Sequence, residues 1–152
     1  MRVLFDTNAV AYWLGGVAQF KSALAGLIRE LKKKKSSLYV STVTVQEMLV
    51  YALVIETGDA TLEFLHDKFA ILPFDERAAL AAAKIGAIHP MTRETKPPER
   101  NVWHRDIAIL GTAFAHGMDR IVTANEKDFA PYGDLVPCEL YVLRPIETRR
   151  GN

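Results

Sequence analysis

Short apolar runs alternate along the chain with longer segments in which apolar residues recur at helical spacing. Four of the short runs predict buried strands, at Arg2–Phe5, Leu38–Val40, Ile121–Thr123 and Leu140–Leu143. A fifth run, Ile71–Phe74, contains a proline and is predicted to be an edge strand. Strands that alternate with helices favour a parallel sheet with both faces covered. The pattern therefore predicts one α/β domain with a central parallel sheet of four to five strands, flanked by helices on both faces.

The segments between these strands carry helical stripes of apolar residues. They predict helices over Val10–Leu14, Val17–Lys34, Val43–Ile55, Gly58–Phe69, Asp75–His89 and Trp103–His116. In the third of these helices the stripe is Val45, Met48, Leu49, Ala52 and Leu53. Ser41 and Thr42 precede that helix as good N-cap residues, and Asp75 caps the alanine-rich one. Residues 91–101 are polar and contain two prolines, so they are predicted to form a loop.

Composition excludes several classes of protein. The 152 residues fit one ordinary domain, and 49% hydrophobic with 24% charged residues is typical of a globular protein. No apolar run approaches the roughly 18 residues of a membrane span, and Asp6 interrupts the only short apolar stretch at the N-terminus, so no signal peptide is expected. The single cysteine, Cys138, excludes an internal disulfide and a cysteine-built zinc site. We therefore expect a cytoplasmic protein without membrane association.

The net charge of +1 neither favours nor excludes a nucleic-acid partner, so the placement of the charges matters more. A lysine run, residues 32–35, stands where a predicted helix ends and is expected to be a solvated helix terminus. Two further basic segments contain Lys96, Arg100 and Arg105, and Arg144, Arg149 and Arg150.

Acidic and amide side chains stand where predicted strands end or predicted helices begin. These residues are Asp6, Glu47, Asp106, Asn125 and Asp128. Because ligands of open parallel sheets bind at the carboxyl ends of the strands, all five are expected at one edge. Two carboxylates ~4 Å apart repel by roughly 4 kcal/mol at an effective dielectric of 20, so a cluster needs shared protons or a cation. An all-oxygen cluster favours Mg²⁺ or Mn²⁺.

Each of these carboxylates also has an ordinary structural explanation. Thr44 and Glu47 have the spacing of a capping box, so the local sequence supports a capping role for Glu47 as well as a functional one. Asp106 suits the first turn of a helix, and Asp128 suits a surface loop. The functional interpretation therefore depends on the convergence of all these side chains.

Four segments occur in an order that resembles a known family. They are Val3–Asn8, Ser41–Glu47, Arg105–Leu110 and Val122–Phe129. Together they resemble the PIN domain and, more narrowly, the VapC-type toxin ribonucleases of bacteria and archaea. The resemblance implies a PIN domain over residues 1–145, followed by a basic C-terminal tail over residues 146–152. It also implies a Mg²⁺- or Mn²⁺-dependent endoribonuclease that acts as the toxin of a VapBC-type toxin–antitoxin pair.

The same resemblance assigns roles to particular residues. It implies that Asp6, Glu47, Asp106 and Asp128 hold the metal ion, and that these four residues and Asn125 take part in catalysis. Asn125 stands in the fourth motif at a position where the family often has aspartate. Thr7, Asn8 and Thr123 are expected to support the site as a polar surround. The implied partners are an RNA substrate, a cognate antitoxin protein and a second copy of the chain in a homodimer.

Neighbouring residues have weaker expectations. Lys96, Arg100 and Arg105 are candidates to neutralise the RNA backbone. Trp103 fits either base stacking or core packing, and core packing is favoured. Tyr12 and Trp13 fit either a partner surface or the core.

Other functions fit parts of the pattern. A phosphatase of the haloacid dehalogenase type has a strand that ends in Asp-x-Asp, but Asn8 occupies the second position here. Dinucleotide binding lacks its glycine-rich turn after the first strand. A PIN-like module that binds RNA or a protein without cleavage stays open as the alternative, because of Asn125.

Overall fold

A computed structural model describes residues 1–88 and 97–146, with side chains described for all of these except residues 97–103. Strands β1 to β5 cover Arg2–Phe5, Ser37–Ser41, Ala70–Leu72, Arg120–Thr123 and Glu139–Val142. Helices α1 to α7 cover Thr7–Leu14, Ala18–Lys33, Thr42–Val54, Gly58–Lys68, Glu76–Ile88, Pro97–Ala115 and Glu126–Phe129. A 3₁₀ turn follows at Ala130–Tyr132.

The five strands form one parallel sheet in the order β3-β2-β1-β4-β5. The chain builds outward from β1 through β2 to β3, and then crosses back to place β4 on the other side of β1. In this register Phe5 pairs with both Val40 and Val122. The strand order therefore reverses between β1 and β4, and their carboxyl ends lie side by side. This is the position at which open α/β sheets bind ligands.

Both faces of the sheet are covered, as predicted. Alternate side chains of β1 enter different cores: Val3 and Phe5 pack with α1, α2 and α4, whereas Leu4 packs with α5 and α6. Strand β4 repeats the alternation with Val122 and Ile121. The central strands are apolar on both faces because neither face meets solvent.

Three predicted boundaries are wrong by two residues or more. Residues 97–101, predicted as loop, form the start of α6, while residues 91–96 lie outside the described part of the chain. Prolines suit a helix start because the first turn needs no backbone donor from them. Strand β3 ends at Leu72, before the proline of the predicted edge strand. Helix α1 begins at Thr7 instead of Val10.

Tyr12 and Trp13 belong to the core and not to an open surface. The Trp13 ring meets Phe69 edge-on at 5.5 Å between centroids, and Tyr12 stacks on Phe20 at 4.5 Å. Both side chains are partly buried. Of the two interpretations of this pair, the structure supports core packing.

None of the helices in the described ranges combines the length and apolar character that crossing a bilayer requires.

Candidate active site

Asp6 lies where β1 gives way to α1, at the point where the strand order reverses. It is the N-cap of α1, and its Oδ1 accepts a 2.7 Å hydrogen bond from the backbone N–H of Ala9. Its Oδ2 accepts a 2.6 Å bond from the hydroxyl of Thr123, at the end of β4. The backbone N–H of Asn125 donates to the same Thr123 oxygen at 2.9 Å. Both carboxylate oxygens are therefore oriented by neighbouring elements.

The Asp6 carboxyl is 2% exposed, and burial raises its pKa from 3.8 to about 7. The hydrogen bonds from Thr123 and Ala9 lower this pKa, and the nearby Glu47 carboxylate raises it. Since burial outweighs the hydrogen bonds, ionisation of Asp6 at neutral pH lowers the stability of the folded protein.

Asp106 lies on α6 and has a similarly raised pKa, about 7. The largest cause is again burial, followed by repulsion from the carboxylates of Asp128, Asp6 and Glu47, while Arg105 lowers the pKa. Four carboxylates from α1, α3, α6 and α7 therefore act on one another across this edge of the sheet. The structure brings together the acidic residues that the sequence places far apart.

Glu47 lies in the second turn of α3 and does not cap it. The N-cap is Ser41, whose Oγ accepts from the N–H of Val43, so the helix begins too early for a capping box at Thr44. The hydroxyl of Thr7 donates instead to Glu47 Oε2, and Arg105 Nη1 lies 2.8 Å from Glu47 Oε1. The structure thus places Glu47 at the carboxylate cluster.

Asn125 and Asp128 are partners of each other. The Asn125 side-chain amide donates to Asp128 Oδ2, across the first turn of the short helix α7. An amide at this position therefore orients a carboxylate that itself faces Asp106. Among the supporting residues, Thr7 and Thr123 contact the cluster as expected.

The predicted basic segment is described only in part. Lys96 lies outside the described residues, and so do the side chains of Arg100 and Trp103. Arg105 is described, and its contact with Glu47 had no signal in the sequence, because the two residues lie on different helices far apart along the chain.

An apolar groove of about 550 Å³ starts at Thr7 and Glu47 and runs between α1, α3 and α4. Met48 and Ala52 line its length, and the aromatic ring of Tyr51 forms part of its wall. Beside the groove, α3 exposes four large apolar side chains, Val50, Tyr51, Leu53 and Val54, each at least 63% exposed. Leu53, which belongs to the predicted stripe, is one of these exposed residues. Since every residue of α3 from Met48 to Val54 is apolar, this half of the helix carries more apolar surface than the sheet edge covers, as at protein-binding sites.

The donor chemistry of the cluster suits a divalent cation. Carboxylate and amide oxygens are the ligands that Mg²⁺ and Mn²⁺ prefer, and a cation removes the repulsion that raises the pKa of Asp106. As the side chains lie, no three acidic, histidine or cysteine residues within the described ranges stand close enough to hold one ion. Glu47 is turned toward Thr7 and Arg105 instead.

The chain is similar to known proteins in sequence pattern and in fold. A family model described as "PIN domain" matches residues 3–135. No curated protein sequence matches the chain significantly.

Several solved structures have a similar fold. VapBC2 from Rickettsia felis, bound to a DNA fragment from its promoter, has a TM-score of 0.70 at 16% identity, with 95% of this chain and 100% of that chain covered. FitAcB from Neisseria gonorrhoeae has a TM-score of 0.66 at 22% identity, with 91% and 96% covered. VapBC-5 from Mycobacterium tuberculosis, a member of a toxin–antitoxin family, has 0.62 at 20% identity, with 93% and 98% covered. At these identities the likeness is one of fold.

Proposed function

The chain belongs to the PIN domain family, and from this premise we propose that it is a Mg²⁺- or Mn²⁺-dependent endoribonuclease. PIN domains are generally nucleases, which supports a hydrolase that acts on nucleic acid. The finer proposal is that the substrate is RNA and that the chain is the toxin of a VapBC-type toxin–antitoxin pair.

The convergence of Asp6, Glu47, Asp106 and Asp128 carries this proposal. Burial and mutual repulsion raise the pKa of both Asp6 and Asp106 to about 7. Without a cation, ionisation of these carboxyl groups destabilises the fold, and a bound cation would remove this destabilisation. A fold stabilised only by packing gains nothing from such a cluster, whereas a metal-dependent phosphodiesterase needs one.

Within this site, Asp6, Glu47, Asp106 and Asp128 would hold the cation, which when bound supplies a nucleophilic water and neutralises charge on the phosphate. The chain's own contribution is to orient these carboxylates. Thr123 aims Oδ2 of Asp6, and Thr7 holds Oε2 of Glu47. Asn125 holds Asp128, so an amide in the fourth motif serves as a positioning residue.

For the partners, we propose an antitoxin protein that covers the apolar groove and the exposed face of α3, together with a homodimer. The support is that the similar solved structures named above include VapBC and FitAcB proteins, and that α3 leaves large apolar side chains uncovered.

Cleavage of RNA is expected to depend on both the metal and Asp106. Wild-type protein incubated with a mixed RNA pool should cleave with Mg²⁺ or Mn²⁺ and not with chelator. Asp106→Asn should reduce cleavage by roughly a hundredfold or more, because it removes a ligand charge at the site. Asp67→Asn is the matched control, since Asp67 is exposed on α4, and it should leave cleavage unchanged. Metal-dependent cleavage that persists in Asp106→Asn would contradict the assignment of this residue.

The Glu47–Arg105 ion pair favours a second candidate, a PIN-like module that binds RNA or protein without cutting, because it satisfies one carboxylate with a side chain instead of a cation. The same preparation tests this candidate. A non-catalytic module predicts no cleavage and no detectable Mn²⁺ binding, with RNA affinity in Asp6→Asn equal to or higher than in the wild type.

A further inference from the structure

Both oxygens of Glu47 are engaged by side chains of this chain. Thr7 donates to Oε2, and the guanidinium of Arg105 lies against Oε1 at 2.8 Å. A cation held by Glu47 through Oε1 would share this oxygen with the guanidinium and would be repelled by its positive charge. Arg105 and a divalent cation therefore compete for one carboxylate oxygen.

The two helices that carry this ion pair, α3 and α6, are also joined by a second contact. Ser41 caps α3, and Thr112 lies in the last turn of α6; their hydroxyls are 3.1 Å apart, and both residues are fully buried. Thr112 lies seven residues after Arg105, on the same face of α6 two turns away. The contact between α3 and α6 therefore does not depend on the Glu47–Arg105 ion pair alone.

Exposure separates the two partners of the ion pair. The Arg105 side chain is 48% exposed and the Glu47 side chain only 18% exposed. Glu47 is held in place by the protein, whereas Arg105 reaches it from the solvent side on a long flexible stem. Partly exposed ion pairs are weak, since water solvates the released guanidinium well. Release of Arg105 from Glu47 is consequently an easy local motion.

The charges around the Glu47–Arg105 ion pair indicate what it does. Arg105 brings a positive charge to the carboxylate edge of the sheet through its 2.8 Å contact with Glu47. A guanidinium next to a divalent cation repels it, so the same side chain that supports the ion-free cluster opposes ion binding.

We propose that Arg105 is a built-in counter-cation for Glu47, which a divalent metal ion must displace in order to bind. The inference rests on the proposed function, because it concerns the same carboxylates. It makes Arg105 a positioning residue that holds Glu47 in the ion-free protein and sets the metal affinity of the site.

The test is calorimetric titration of the full chain with Mn²⁺ alone, in the wild type, Arg105→Gln and Arg105→Lys. Removal of the charge in Arg105→Gln is expected to tighten Mn²⁺ binding by roughly tenfold or more. Arg105→Lys keeps the charge and should bind within about threefold of the wild type. Lys34→Gln removes a similar charge from an exposed pair with Glu30, away from the site, and should not change the affinity, which controls for net charge.

Thermal unfolding of the same proteins supplies a readout that does not depend on activity. In chelator, Arg105→Gln should unfold at a slightly lower temperature than the wild type, because Glu47 has lost its ion-pair partner and keeps the hydrogen bond from Thr7. Added Mn²⁺ should raise its unfolding temperature by more than that of the wild type.

The outcomes separate the two proposals. Equal or weaker Mn²⁺ binding by Arg105→Gln, with clear binding by the wild type, would overturn the role of Arg105 and leave the proposed function standing. An absence of Mn²⁺ binding in every variant, Arg105→Gln included, would overturn the metal-dependent function and this inference with it.

Discussion

Asp6→Asn is expected to abolish RNA cleavage and at the same time to make the protein more stable in chelator at about pH 8. The buried carboxyl has its pKa raised to about 7, so it is ionised at this pH against the cost of burial. Asparagine removes the charge and keeps the helix cap, because its side-chain oxygen can still accept from the N–H of Ala9. Loss of a metal ligand should lower cleavage by roughly a hundredfold or more.

The sign of the pH dependence follows from proton binding. Between the ordinary pKa of 3.8 and the folded-state pKa of about 7, the folded protein keeps a proton on Asp6 that the unfolded chain has lost. Stability therefore falls as pH rises through this window and levels off above about pH 7. A pKa change of this size corresponds to roughly 4 kcal/mol as an upper bound, and we expect Asp6→Asn to recover about 1–4 kcal/mol, since Asp6 titrates together with its acidic neighbours.

Urea unfolding at about pH 5 and about pH 8, in chelator and in Mg²⁺, measures this effect. The wild type should lose more stability than Asp6→Asn between the two pH values, and Mg²⁺ should restore the wild type alone. Asp75→Asn is the matched control. Asp75 also accepts from a backbone N–H at the start of a helix, that of Ala78, but it is partly exposed and its pKa is lowered by that bond. If Asp6→Asn were less stable than the wild type at the higher pH, the charge of Asp6 would not destabilise the folded protein.

Most of the fold could be predicted because the positions of buried apolar residues along the chain distinguish strands from helices. Strands β1 and β4 are apolar on both faces, and the helices between strands are long enough to show a periodic stripe. Helix α6 was harder, because its first turn is polar and begins with Pro97 and Pro98. Proline breaks a helix interior but fits its start, so the same residues are compatible with a loop and with a helix N-terminus.

The candidate site was predictable as a set of positions but not as a set of contacts. Parallel strands bring their carboxyl ends together, so Asp6 and Asp128 could be placed at one edge from topology. Asp106 lies in the middle of α6 and not in its first turn, because the helix begins at Pro97. The partners of Glu47 could not be predicted, because a capping box and a site carboxylate share one local pattern. The difference depends on where α3 begins, and Ser41 starts it three residues before Thr44.

The uncovered face of α3 also escaped prediction. The half of α3 from Met48 to Val54 is apolar on all sides and has no single stripe, so periodicity cannot say which side meets the core. Leu53 belongs to the stripe predicted for this helix, yet it is 67% exposed. Periodicity alone therefore could not predict that this face of α3 stays uncovered in the chain.

Gly111→Ala is expected to destabilise the protein by roughly 1–3 kcal/mol, although alanine favours helices. Gly111 lies in α6 against α5, and a Cβ there would stand 2.5 Å from the carbonyl oxygen of Ala78 and 2.8 Å from the backbone nitrogen of Ala82. Backbone atoms of a helix cannot turn aside as a flexible side chain does, so α5 and α6 must separate. Because Asp106 lies on α6, the same change should also weaken Mn²⁺ binding.

Gly26→Ala provides a control with the opposite expected sign. Gly26 lies inside α2, and a Cβ there would meet no atom within 4 Å. The substitution should stabilise the protein by about 0.5–1 kcal/mol, because alanine loses less backbone entropy in a helix than glycine does, and it should leave Mn²⁺ binding unchanged. Urea unfolding of both variants measures the difference. If Gly111→Ala were as stable as Gly26→Ala, the close approach of α5 to α6 would not be what positions Asp106 at the site.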